Sequence, residues 1–402
     1  MLRFLKIGLV LCGVLFATVA ASQTAPKHAS GSTVALHSKG EAQYWAGNYA
    51  AAERLFREAL QANRLKNANN PRDRVILLTW LGRTLKDRAN YREAEDILLE
   101  ASRLAQTELG PQHPEHAHSL NDLGIVYKET GRLAAAERLF RQAIEIDKAT
   151  IGERHPNYSI RLNNLANVLQ DLGRYDEAEP LYRQVLKIDK VIIGERHPSY
   201  AMSLGNLANL LQLSGRYEEA EPLYRQAIKI DKATIGEIHP NHTIRLNNLA
   251  LLLHKTGRLL EAETLFREAI ESDKATIGER HPGYATRISN LALLLQDSGN
   301  YEEAEPLIRR AMEITETALG RHHPDFATRL NNLASLLYHA KRADEARPFF
   351  AESRSIYREA LGDDHPNTKQ AASNYARLLR GHFPEDPALA ESEAAFGPHI
   401  GK

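Results

Sequence analysis

The stretch HPNYSIRLNNLANVLQDLGRYDEAEPLYRQVLKIDKVIIG, from His155 to Gly194, is one unit of a ruler that runs through most of the chain. His-Pro begins at His113, His155, His197, His239, His281, His323 and His365, a constant step of 42 residues. Three residues before each stands a glycine: Gly110, Gly152, Gly194, Gly236, Gly278, Gly320 and Gly362. No drift accumulates over seven units, so each must be structurally equivalent to the next.

Between these marks the pattern is helical. In the unit that opens at Pro198, apolar residues fall at Leu204, Leu207, Ala208 and Leu211, one stripe along a single helix face. Gly215-Arg216 breaks the pattern, and a second stripe follows at Ala220, Leu223, Tyr224, Ala227, Ile228 and Ile230. Lys229 and Lys232 suit the negative end of that second helix, and Gly236 supplies its stop. Pro240, with its preset φ and no N–H, opens the next unit. Each unit is therefore a helix, a tight turn and a second helix. Nothing alternates with period two, so no sheet is expected.

Two earlier units lack His-Pro but keep the ruler: Gly40, Gly82 and Gly124 step by 42, as do Tyr49, Tyr91 and Leu133. They span about 33–63 and 72–105, which makes eight helix pairs, followed by a lone helix over 366–380. Pro180, Pro222, Pro306 and Pro348 fall within the second helices. They are tolerable there if the helix starts near the preceding acidic pair, where the first N–H groups have no intrahelical acceptor. The tail 381–402 contains three prolines and an acidic patch and is expected to be loose, with one turn around 388–395.

The small and large residues at Gly40, Ala52, Phe56 and Ala59 resemble the tetratricopeptide repeat, whose usual period is shorter. The fuller unit from His155 closely resembles the tetratricopeptide units of kinesin light chains, because Gly-x-x-His-Pro, Leu-Asn-Asn-Leu-Ala and Gly-Arg-Tyr-x-Glu-Ala-Glu recur in order. The resemblance is strong over 110–366 and weaker in the two leading units. It implies an all-α fold, a right-handed superhelical solenoid over 33–380, in which the first helix of each pair lines a concave groove. The chain carries no heptad segment with which to join a motor heavy chain. It is similar in its module and not in a motor role, and a bacterial exported scaffold is the expected setting.

Residues 1–22 read as a secretory signal peptide: Arg3 and Lys6, an apolar run from Ile7 to Phe16, then small residues to Ser22. The run is shorter than the ~20 residues of a membrane-spanning helix. An exported, periplasmic or secreted protein is expected, with retention as an N-terminal inner-membrane anchor as the alternative. Residues 23–32 are small and polar and look like a flexible spacer. The single cysteine, Cys12, lies in the leader, so no disulfide framework is available. Equal numbers of basic and acidic residues, 51 each, exclude a general nucleic-acid binder, which needs a basic field.

Binding is expected on the groove side of the first helices. One column there reads Asp122, Asn164, Asn206, Asn248, Asn290, Asn332 and Asn374; its neighbour reads Asn121, Asn163, Gly205, Asn247, Ser289, Asn331 and Ser373. Asparagine is a mediocre helix former, so six in register want a reason. Their amides both donate and accept, and a row of them can hold the backbone of an extended peptide from a partner protein. The alternative is that they cap or bridge adjacent helices. Groove specificity is assigned to the rows Ile160, Met202, Ile244, Thr286, Thr328 and Gln170, Gln212, His254, Gln296, Tyr338. Arg161, Arg245, Arg287 and Arg329 form a further row, read either as a solvated face paired to glutamates or as a contact for acidic ligands.

No catalytic, cofactor or metal role is expected. No phosphate loop, Gly-x-Ser-x-Gly elbow or HExxH occurs. Equivalent histidines in successive units stand at least the ~8–10 Å of packed helices apart, too far to share an ion, so the His-Pro residues are read as helix caps or loop packing. His116/His118 and His322/His323 are local pairs with no supporting acid in view. Asn157-Tyr-Ser159 and Asn241-His-Thr243 fit the glycosylation acceptor pattern. A non-enzymatic scaffold that binds a protein or peptide is the reading; a structural spacer or self-assembling element without a ligand is the alternative.

Overall fold

The computed structural model describes residues 31–65, 70–363 and 365–394, and among them every regular element is helical. The leader 1–22 and most of the spacer lie outside the described residues. The chain divides into two compact units, Met1–Ile230 and Asp231–Lys402. In the first, α1 (Gly31–Trp45) pairs with α2 (Tyr49–Leu65), α3 (Pro71–Asp87) with α4 (Tyr91–Leu104), and α5 (Pro114–Glu129) with α6 (Leu133–Thr150). Then α7 (Pro156–Asp171) pairs with α8 (Tyr175–Ile192), and α9 (Pro198–Leu213) with α10 (Tyr217–Thr234). The second unit holds α11 (Pro240–Lys255) with α12 (Leu259–Thr276), α13 (Pro282–Asp297) with α14 (Tyr301–Leu319), α15 (Pro324–His339) with α16 (Ala343–Leu361), and α17 (Pro366–His382) with α18 (Ala388–Ala394).

The ruler is a capping device. Each His-Pro histidine sits at the N-cap in extended backbone, and the proline behind it takes the first helical position. The imidazole Nδ1 accepts the backbone N–H two residues on, at 3.1 Å in six units and 2.9 Å at His281. The cap reading of these histidines is therefore what the structure shows. Between the two helices of a pair the chain turns through a left-handed residue, glycine at Gly173 (φ 76) but Lys341 (φ 64) in the eighth pair.

Four expectations are corrected. The helices carrying Pro180, Pro222, Pro306 and Pro348 do start beside the acidic pairs, at Tyr175, Tyr217, Tyr301 and Ala343, yet each proline lies beyond the first turn, so it is interior and removes one i→i−4 bond. All four are exposed, so the freed carbonyl can face water. The helix after Pro366 is not alone: α18 packs on it, and Ala388 and Ser392 stand 42 residues after Ala346 and Phe350. The tail is thus a ninth, truncated pair through Ala394, pinned by Arg380–Glu393 (2.6 Å) and Arg354–Glu391 (3.5 Å). Residues 31 and 32, assigned to the spacer, already belong to α1.

Within each unit the core runs between the two helices of a pair and on to the next pair. Leu162, Leu165, Ala166 and Leu169 of α7 are buried, as are Ala178, Tyr182 and Val185 of α8, and the two helices pack on each other. Successive first helices touch one another, whereas no two successive second helices among the described residues come as close. The first-helix side is therefore the inner side of the curvature in each unit.

Candidate functional site

The inner face is organised by contacts between residues 43 apart, one ruler length plus one. At five positions the asparagine in the column of Asn164 reaches back to the residue of the neighbouring column in the preceding pair. In the first unit Asn164 Nδ2 donates to Asn121 Oδ1 and Asn206 Nδ2 to Asn163 Oδ1, both at 2.9 Å. In the second unit Asn290 donates to Asn247 and Asn374 to Asn331 at 2.9 Å, and Asn332 to the Ser289 hydroxyl at 3.1 Å. Nine of the ten asparagines are thus brought together in rungs, and Asn248 accepts from its own neighbour, Asn247. The reading of them as a row free for a guest backbone is corrected. The nine bridge adjacent helices, as the alternative held.

The ladder does not use up the amides. An asparagine has two N–H donors and two acceptor lone pairs, and a rung takes one donor from one residue and one lone pair from the other. Asn121, Asn247, Asn331, Asn332 and Asn374 are buried; Asn163, Asn164, Asn206, Asn248 and Asn290 are only half-buried. Three residues further along the same face lie the half-buried Ile125, Asn167, Asn209, Leu251, Leu293 and Ser335. This row was missed; its signal was the i+3 spacing from the asparagine column.

A second set of 43-residue rungs joins basic side chains to carboxylates. Lys86 reaches Glu129 (3.9 Å), Lys128 reaches Asp171 (3.7 Å) and His254 Nε2 meets Asp297 (2.9 Å). Arg83 of α3 pairs with Asp122 of α5 at 2.8 Å and lies over the Trp80 ring, 4.6 Å from its centre. Burial raises the carboxyls of Glu41 and Glu129 above their ordinary range. Of the rows assigned to specificity, Gln170, Gln212 and Gln296 are buried rather than presented. Thr328 is buried against the Tyr357 hydroxyl (2.6 Å), and Thr286 accepts from Arg329 (2.9 Å). Ile160, Met202, Ile244 and Tyr338 remain half-buried.

The arginine row is neither solvated nor open to a ligand. Arg161, Arg245, Arg287 and Arg329 are all buried. The first three pair with Asp147, Asp231 and Asp273, each on the preceding second helix and fourteen residues earlier. Burial pushes the Asp231 and Asp273 carboxyls up to about 6 against the pull of their arginines. Where the row has Ser203 instead, Asp189 accepts from both Ser203 and Ser159 at 2.7 Å. The acceptor pattern at Asn157 and Asn241 also closes inward: Ser159 and Thr243 are buried, and Asn157 lies 3.0 Å from His118 Nε2. His118 does have an acid beside it, Glu115 at 3.1 Å, contrary to expectation.

Comparison with known proteins follows the same lines. Tetratricopeptide repeat profiles match residues 73–149, 158–233, 243–317, 287–334 and 325–392, and a second such profile matches 208–276. A search of curated proteins finds no match. Among solved structures, the apo form of the quorum sensor NprR from B. thuringiensis is 17% identical, with a TM-score of 0.61 over 81% of this chain and 87% of that one. BtubC (BKLC) from P. vanneervenii is 24% identical, with a TM-score of 0.48 over 58% of this chain and 92% of that one. A putative kinesin light chain of Podosopora anserina with nearly identical TPR-like repeats is 27% identical, with a TM-score of 0.45 over 52% of this chain and 98% of that one.

Proposed function

Because the chain belongs to the tetratricopeptide repeat family, whose repeats generally mediate protein–protein interaction, we propose that it is a non-enzymatic scaffold holding an extended segment of a partner protein along the inner face of its first helices. The observation that carries this is the half-buried amide row. The ladder fixes Asn164, Asn206 and Asn290 in one orientation, so their remaining donor and acceptor capacity is preorganised for a peptide backbone. The adjoining Asn167, Asn209, Leu251 and Leu293 offer side-chain discrimination. Export on the strength of the leader is part of the reading. No helix among the described residues is long and apolar enough to cross a membrane.

A second reading is favoured by the rungs themselves: they join neighbouring pairs, and a rod or spacer needs nothing more of them. Replacing the asparagines confounds the two, because it removes rungs together with any ligand contact. A photo-crosslinking residue at Asn209, Leu251 or Leu293, with exposed Arg183 of α8 as control, separates them. The scaffold predicts one discrete partner adduct from the three inner positions, in the compartment where the protein resides, and none from Arg183. No inner adduct, or equal labelling from all four, discards the groove and leaves the spacer.

A further inference from the structure

Seven of the 17 histidines in this chain do one job. At His113, His155, His197, His239, His281, His323 and His365 the ring nitrogen Nδ1 accepts a backbone N–H at the start of a first helix. An accepting Nδ1 carries no proton, so each ring must be neutral with its hydrogen on Nε2. The usual N-cap residues, Ser, Thr, Asp and Asn, do not change state near neutral pH; histidine does. We propose that these caps make the hairpin stacks of both units acid-sensitive: a proton taken up from solvent at Nδ1 turns the acceptor into a donor, orphans the capped N–H, and sets a cation at the positive end of the helix.

The charges around the rings do not undo this. His113 faces Glu115 of its own helix, which favours the cation, but also Arg72 of α3 and His118, which oppose it. Arg161 and His118 oppose it at His155, and Arg245 and Arg287 at His239 and His281. His197 has Asp189 of α8 in range, and His323 has Asp325 at 4.0 Å. Partial burial is the largest influence at His113, His155, His239 and His281 and holds all four below the ordinary histidine value. A histidine depressed in the folded chain contributes stability above its unfolded pKa of ~6.5 and loses it as pH falls through the folded value. The repeat of the cap along both units multiplies a small effect. The device does not depend on what occupies the inner face.

The test is the full chain against H197N/H239N/H281N/H323N. Asparagine keeps a side-chain acceptor at the N-cap and does not titrate. Urea midpoints are followed by circular dichroism from pH 7.5 to 5.5. Each protonated cap should raise the unfolding equilibrium constant about fivefold, so the parent should lose stability steeply and the variant at least about tenfold less in that constant. A variant destabilised at every pH still reports through its slope, and H281N alone serves if the quadruple change does not fold. Buried His37 and His242 are common to both proteins and cancel. An asparagine variant whose midpoint falls as steeply as the parent's overturns the proposal. So does a ¹⁵N spectrum in which cap Nδ1 atoms are protonated at pH 5.5 while the urea midpoint is unchanged.

Discussion

A guanidinium taken out of water needs a carboxylate beside it, and Arg287 has Asp273 at 2.9 Å, with the Gly283 carbonyl accepting from it at 2.8 Å. Replacing Arg287 by Met strands a buried carboxylate and should cost about 3–5 kcal/mol at pH 7. Adding Asp273→Leu should recover most of that loss, which urea denaturation of both variants checks. The single variant carries a pH signature. Burial already holds Asp273 up to about 6, and losing the arginine raises it further. The folded state then binds the proton that the unfolded state releases, so the deficit should shrink as pH falls toward about 6, below which the parent's own Asp273 is protonated too and the deficit levels off. His37 works in the opposite sense. Its ring is fully buried between Phe56 and Trp80, with Glu41 the nearest carboxylate at 3.9 Å, and burial lowers its pKa to about 4. Between pH 6.5 and 4 the unfolded chain holds more protons, and roughly 3 kcal/mol of stability drains away across that window. His37→Phe should remove this dependence, so its urea midpoint, read by Trp80 fluorescence, should fall less than the parent's between pH 7.5 and 4.5; equal falls refute the assignment.

At the scale of an element, two helices of a pair close on each other through one small residue. A Cβ added to Gly124 of α5 would stand 2.8 Å from the Phe140 ring of α6, and one on Gly82 would stand 2.5 Å from Leu98. The same column carries buried alanine from Ala166 onward, and Tyr182 and Tyr224 stand at the positions of Phe140 in their own pairs. Gly124→Ala gains helix propensity but overpacks the pair, and a net loss of about 1–3 kcal/mol is expected in a thermal melt. These pairs were legible because their evidence is local: a stripe, a turn glycine, a His-Pro cap. What was illegible lies between pairs. The asparagine column was found, but its rungs join residue n to residue n+43, and that offset is set by how one pair leans on the next. The arginine row was read as solvated because an isolated arginine usually is. The corrective signal stood in the repeated DKATIGE, whose aspartates Asp147, Asp231 and Asp273 precede Arg161, Arg245 and Arg287 by fourteen residues. Two exceptions obey the same logic: Ser203 follows Asp189 and supplies its hydroxyl, and Arg329 follows Thr315 and turns to Thr286 instead.

At the scale of the whole molecule, a repeat array is stabilised by each pair and by the contact of each pair with the next, and by little that is longer in range. Any 42-residue window inside a unit is therefore interchangeable with any other, wherever it begins. Deleting 170–211 joins α7 through Leu169 to Gln212 and Leu213, the end of α9, in unbroken register, since Gln212 replaces Gln170 and the stripe of Leu162, Leu165, Ala166 and Leu169 is kept whole. Asp171, the partner of Lys128 on the ionic ladder, gives way to Leu213 at the same position, so one surface pair of at most ~1 kcal/mol is lost. Asn164 keeps its rung to Asn121, because both lie ahead of the cut. The shortened chain should fold with unchanged helix content per residue and a melting temperature within a few degrees of the parent's. Deleting 170–209, two residues less, inserts two residues into the fused helix and rotates everything beyond by about 200°. That turns the stripe that should meet the second helix out to solvent, and the fused pair should unfold. Circular dichroism on the two deletions decides it: if the 40-residue deletion is as helical and as stable as the 42-residue one, the ruler is a record of duplication and not a packing constraint.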